Sequence, residues 1–116
     1  MKIILCVFLH IFTFAIHANQ IDLFIMAGQS NMQGWRSDAA QYPFDSHLED
    51  AAIPFYFEAL NYDSSKKKWE TLGPQMGHFG PEVSFARSLL RTNLKPAVFK
   101  YSSGSSSIKT HWKAPG

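Results

Sequence analysis

Between polar Asn19-Gln20 and Gly28 runs IDLFIMA, residues Ile21 to Ala27, a nearly continuous apolar stretch that constrains the fold more than any other feature. A short run without alternation is expected as a strand buried on both faces, at the centre of a parallel sheet. Parallel strands need a crossover, and the sequence offers one. Gly80-Pro81-Glu82 opens a helix: proline suits the first helical position, and glutamate complements the positive end of the dipole. Val83, Ala86, Leu89 and Leu90 form its apolar stripe, and Arg87 and Arg91 fall towards the end where cations are favoured. Thr92 to Pro96 stops the helix, and Ala97 to Tyr101 (AVFKY) is expected as a second short strand. Strand, long connection, helix and strand make a βαβ unit, so the expected class is α/β with a parallel sheet and a right-handed connection.

The long connection, Trp35 to Gly80, is punctuated by Pro43, Pro54, Gly73, Pro74 and Gly77. Within it, Ile53 to Asn61 and Lys68 to Leu72 are β-prone and flank the polar turn Tyr62 to Lys67, which predicts a hairpin. The basic cluster Lys66-Lys67-Lys68 belongs to that turn and is expected to be solvated. It is too narrow for a nucleic-acid face, so no polyanionic partner is expected. Asp38, Asp45, Glu49, Asp50 and Asp63 lack metal-loop spacing, and neither a metal nor an organic cofactor is expected.

The N-terminus has the pattern of an export signal: Lys2, then an apolar run from Ile3 to Ile16 broken only by Cys6, His10 and Thr13, with small Ala18 before the expected cut. The run is short for a bilayer span, and the alternative is a buried N-terminal strand or helix. The expectation is a leader over residues 1–18 and a domain over residues 19–116, exported to the periplasm or the cell exterior with no stable membrane anchor after cleavage. Cleavage removes Cys6, the one cysteine, and with it disulfides, a thiol nucleophile and thiolate metal ligands; the net charge of +2 falls to +1 with Lys2. A content of 46% hydrophobic and 15% aromatic residues excludes a disordered chain, and 116 residues allow one domain. Oligomeric state is left open.

In an open α/β sheet the functional crevice lies beyond the carboxyl ends of the strands. Two glycine- and serine-containing segments fall there: Gly28-Gln29-Ser30-Asn31-Met32 after the first strand, and Ser102-Ser103-Gly104-Ser105-Ser106-Ser107 after the second. Gly28 permits a sharp turn that presents the Ser30 hydroxyl, while the Ser30 amide faces a developing oxyanion. A serine after a strand is alone weak evidence, since ordinary turns use the same residues.

The wider pattern is more specific. Gly28-Gln29-Ser30-Asn31-Met32 with Gly34, then Gly80-Pro81-Glu82 with Phe85-Ala86, then Lys100-Tyr101 with Gly104, Ser107, Ile108 and Trp112, occur in that order. In these three blocks the chain resembles the sialate O-acetylesterase-like and acetylxylan-esterase-like branch of the SGNH hydrolases, also called carbohydrate esterase family six. The resemblance covers essentially all of residues 19–116. It implies a flavodoxin-like three-layer α/β/α fold and a serine, matching Ser30, that attacks acetyl esters on sugar hydroxyls. It also implies oxyanion donation by the backbone amides of Ser30 and Gly104. Ser105 and Ser106 stand where the family has glycine and threonine, so the second donor depends on the φ that Ser105 adopts.

The family's QGE block and its late Asp-x-x-His block have no counterpart before Gly116, so the base histidine and its orienting aspartate are absent from this chain, which is expected to be the N-terminal portion of such an esterase. His47, His78 and His111 do not occupy the family's histidine position, and surface roles are expected for them. For Trp35, Trp69 and Trp112, packing is preferred over stacking on sugar rings, and for Glu82 stabilisation of the helix N-terminus is preferred over substrate contact. Three readings follow: a serine hydrolase removing O-acetyl groups of the acetylxylan or sialate type, a non-catalytic carbohydrate-binding remnant of the same fold, and, more weakly, a fragment without function.

Overall fold

The computed structural model describes residues 20–44, 47–60, 62–63 and 66–113. The expected leader, residues 1–18 with Cys6, lies outside the described residues, as do Asn61, Ser64 and Ser65 of the hairpin connection and Asp45. In chain order the elements are β1 (Asp22–Gly28), α1 (Ser30–Gln33), a 3-10 turn (Ala39–Gln41), α2 (His47–Ala51), β2 (Pro54–Ala59), β3 (Trp69–Thr71), α3 (Glu82–Leu90) and β4 (Pro96–Ser102).

β1 and β4 pair in parallel from Asp22 opposite Pro96 to Gly28 opposite Ser102, as the two apolar runs predict. β2 and β3 form the expected antiparallel pair. β2 also adds to β4 in parallel, giving the sheet order β1-β4-β2-β3, a placement the hairpin expectation does not contain. The sequence is thus an α/β chain with a mostly parallel sheet.

α3 covers one face of this sheet. Phe24 of β1 meets Phe85 edge-on at 5.5 Å, and Val83 and Ala86 are buried against the strands. Ile53, Phe55, Phe57, Ala59, Leu72, Ala86 and Val98 form the core there, with Met26 and Leu90 packed against it. Each of the larger of these side chains contributes about 1.5–3 kcal/mol on burial.

The opposite face corrects one expectation. β1 is not buried on both sides: its residues alternate, and Leu23 and Ile25 are 56% and 72% exposed. β1 is an edge strand, and no helix of the described residues lies over that face. The nearly continuously buried strand is β4, between β1 and β2. Across the outer face Phe99 stacks on Tyr56 at 5.2 Å, and Trp69 packs at a tilt on Tyr56 at 5.5 Å.

Arg87 lies in the last turn of α3, as expected, and its side chain turns inward, where its Nε and Nη2 donate to the two Asp50 carboxylate oxygens at 2.8 and 2.7 Å and Nη2 also donates to the Pro43 carbonyl. The Tyr42 hydroxyl donates to Asp50 as well, at 3.0 Å. Burial, and then the Asp50 carboxylate beside it, push the Tyr42 phenol well above its ordinary value. Arg91 reaches Glu49 at 3.0 Å, so both arginines tie α3 to α2. In the basic cluster, Lys67 pairs with Glu58 and Lys68 with Glu70, which uses two of its charges locally.

Candidate active site

β1 delivers the chain to the sheet's carboxyl edge, and Gln29, at φ −100° and ψ −148°, turns it so that Ser30 begins α1. α1 lasts only four residues because Gly34 closes it in the left-handed region, φ 83°, its amide donating to the Ser30 carbonyl at 3.0 Å. Glycine is required there twice over: a β-carbon would need a strained φ and would stand 1.8 Å from the Phe79 carbonyl oxygen. Gly28 is needed for contact rather than φ, since a β-carbon on it would lie 2.7 Å from the Met32 β-carbon. The glycines of the first block therefore let a tight turn nest between β1 and the segment before α3.

The second wall comes from the end of β4. The Ser103 amide donates to the Gly28 carbonyl at 2.9 Å, carrying the β1–β4 pairing one residue further, and the Ser106 amide closes a turn onto the Ser103 carbonyl at 3.3 Å. Gly104 and Ser105 are the middle residues of that turn, with Ser105 at φ 58°. A positive φ at the third position is the geometry of a type II turn, where glycine is usual. Ser105 thus adopts the left-handed conformation at a position where glycine is usual.

Ser30 and Gly104, with Gln33 and Ser105, line one cavity of about 550 Å³. The amides of Ser30 and Gly104 and the Ser30 hydroxyl make no hydrogen bond among the described residues. Trp35, Leu60 and Met76 supply its apolar side. Trp69 and Trp112 are engaged elsewhere: Trp69 lies on the outer sheet face, and Trp112 Nε1 donates to Ser106 Oγ at 2.8 Å while its ring meets Tyr101 edge-on.

The histidines do not gather at this cavity. His78 Nδ1 is 2.9 Å from the Ser37 carbonyl and its ring packs on Trp35; His111 Nδ1 accepts from the Ser107 amide at 3.0 Å. Neither lines the Ser30 cavity, and the His47 side chain lies outside the described residues. Among the described residues no three His, Cys, Asp or Glu side chains converge as metal ligands would.

Beneath Ser30 the sequence blocks meet. Glu82 and Lys100 form an ion pair of 2.6 Å with both side chains 1% exposed. Glu82 also accepts from the Gly80 amide at 2.9 Å, and Lys100 Nζ lies 3.5 Å from the carbonyl of Gln33, the last residue of α1. Burial lowers the Lys100 pKa from its ordinary value, with the Glu82 carboxylate opposing that shift. Glu82 is therefore more than a helix-terminus charge, and it does not reach the cavity. Lys100 escaped sequence reasoning as a structural partner, although its parity in AVFKY places it on the same inward face as Val98. Ser102 ends β4 fully buried, its hydroxyl without a hydrogen-bond partner among the described residues.

A serine and two backbone amides without partners among the described residues, on residues that line one cavity at the carboxyl edge of a parallel sheet, are groups suited to acyl transfer. Comparison with known proteins agrees in kind. Neither the curated proteins nor the solved structures yield a match, but a family model, described as carbohydrate esterase, sialic acid-specific acetylesterase, matches residues 20–116. Since that match spans every block that meets around Ser30, the chain belongs to the sialic acid-specific acetylesterase family of carbohydrate esterases.

Proposed function

We propose that the chain carries the nucleophile and oxyanion donors of a carbohydrate O-acetylesterase, acting on acetylated glycans of the acetylxylan or sialate type. The observation that carries this reading is the shared cavity of Ser30 and Gly104, with their amides turned to no other partner. In the reaction Ser30 Oγ attacks the acetyl carbonyl carbon and passes its proton to a base. The carbonyl oxygen, now negative, is held by the amides of Ser30 and Gly104. The C–O bond to the sugar then breaks, the sugar oxygen takes the proton, and water hydrolyses the acetyl-enzyme to acetate and free Ser30.

The base and its orienting carboxylate come, on this reading, from an Asp-x-x-His segment outside residues 20–113. His78 and His111 are held by other partners, which supports that assignment. The same observation favours a second reading, a carbohydrate-binding domain without catalysis. Acetate release separates the two. Residues 19–116 alone should release acetate from an aryl acetate at background rate, because an unassisted serine is a poor nucleophile. The product of the same reading frame extended past Gly116 should release acetate from acetylated glycans, and Ser30→Ala should lower its kcat on the order of 10⁶-fold. Turnover that survives Ser30→Ala refutes the esterase reading. Export is part of the proposal, on the strength of Lys2 and the apolar run to Ile16. Mass spectrometry of the secreted protein should find an N-terminus near Asn19, and an intact Met1 on cytosolic protein refutes it.

A further inference from the structure

We infer that Trp35 is the sugar-ring platform of the Ser30 cavity, its indole face taking the apolar C–H face of a pyranose whose acetyl group lies at Ser30. The inference deepens the esterase reading and rests on it for the position of the acetyl group.

Trp35 is 60% exposed, an unusual setting for so large an apolar ring, and it lines the same cavity as Ser30. Its position relative to Ser30 is fixed by the backbone, since the Trp35 amide donates to the Ser30 carbonyl at 3.1 Å. Its ring packs on His78, at 5.1 Å between centroids, and His78 Nδ1 lies 2.9 Å from the Ser37 carbonyl. Ser37 belongs to the same clamp: its hydroxyl accepts from the Phe79 amide at 2.8 Å. An exposed aromatic ring held this firmly beside an unengaged nucleophile is pre-organised for a ligand.

The rest of the cavity suits a ring with one apolar and one polar side. Leu60 and Met76 are exposed hydrophobic residues on its rim, while Gly104 and Ser105 offer backbone and hydroxyl groups across it. Met76, at φ 53°, and Ser105, at φ 58°, are two of three non-glycine residues with positive φ among the described residues, and both line this cavity. Strained backbone concentrates where a ligand is gripped. A volume of about 550 Å³ accommodates a monosaccharide. The other tryptophans do not line this cavity, for Trp69 packs at a tilt on Tyr56 and Trp112 meets Tyr101 edge-on.

The test is a titration of the ¹⁵N-labelled chain with methyl 2,3,4-tri-O-acetyl-β-D-xylopyranoside, following the indole N–H peaks of its three tryptophans. Triacetin serves as an acetyl ester without a ring. The Trp35 peak, assigned by its loss in Trp35→Phe, should shift saturably with the sugar while those of Trp69 and Trp112 stay in place, and triacetin should move none of them. Saturation-transfer NMR should show sugar binding weakened about tenfold in Trp35→Ala and less in Trp35→Phe, with the remaining amide spectrum confirming that both variants fold. An unmoved Trp35 peak, equal shifts with triacetin, or wild-type affinity in folded Trp35→Ala overturns the inference. The Trp35 shift and acetate release are independent readouts. The Trp35 shift without Ser30-dependent acetate release by the extended protein therefore overturns the esterase reading alone, and Ser30-dependent release without the shift overturns this inference alone.

Discussion

Ser105 holds a conformation that costs an L-residue about 1–2 kcal/mol, and it does so in the turn that presents the Gly104 amide. The cost is tolerable because the turn is closed on both sides, by Ser103 on Gly28 and by Ser106 on Ser103. Replacing Ser105 by glycine removes the strain but adds freedom to the unfolded chain, worth about 0.4–1 kcal/mol. The two effects nearly cancel, so urea denaturation should show Ser105→Gly within about 1 kcal/mol of the parent chain. Ser105→Val, β-branched at a positive φ, should cost about 2 kcal/mol. Equal stability of the two variants would show that the turn does not hold the left-handed φ. At this scale the sequence was informative about Ser30 and Gly104, because both follow strands that an apolar run announces. It was less informative about Trp35, since an indole's exposure depends on which side chains pack on it, here His78.

Among elements, the decisive contact is the buried pair of Glu82 on α3 and Lys100 on β4, which also approaches the end of α1 at the Gln33 carbonyl. Removing one partner leaves a charge without compensation in a dry site, a loss of about 3–5 kcal/mol. Lys100→Met should therefore lower stability by that amount in urea denaturation, while Glu82→Gln with Lys100→Met should recover much of it. Additive losses would mean that the two side chains are not coupled. The strands and α3 were legible because each carries a local period or an uninterrupted apolar run, and the hairpin because a polar turn separates two β-prone segments. The insertion of β4 between β1 and β2 was not, nor were the pairs Glu82 with Lys100 and Arg87 with Asp50. Those partners are 18 and 37 residues apart, and their pairing is set by tertiary packing rather than by any local pattern.

For the whole molecule, the outer sheet face carries Leu23, Ile25, Tyr56, Phe99 and Trp69 with no helix of the described residues over it, and among those residues no strand pairs with the free edge of β1. An apolar face beside an open edge favours association. Sedimentation velocity should show residues 19–116 associating as concentration rises, and Ile25→Lys, a change at a 72% exposed site, should shift the chain towards monomer with little change in stability. Undiminished association in that variant would place the contact elsewhere. The pairing of Asp22 with Pro96 also orders events in time. β1 leaves the ribosome early, but its partner among the described strands is β4, near the far end of the described chain, so the loop between them must close before either strand gains from the other. Ser30 is among the first of these residues to be synthesised and among the last to acquire its surroundings: a nascent chain that stops short of Ser102 contains the serine and its glycines but not the turn at Gly104 and Ser105 that shares their cavity.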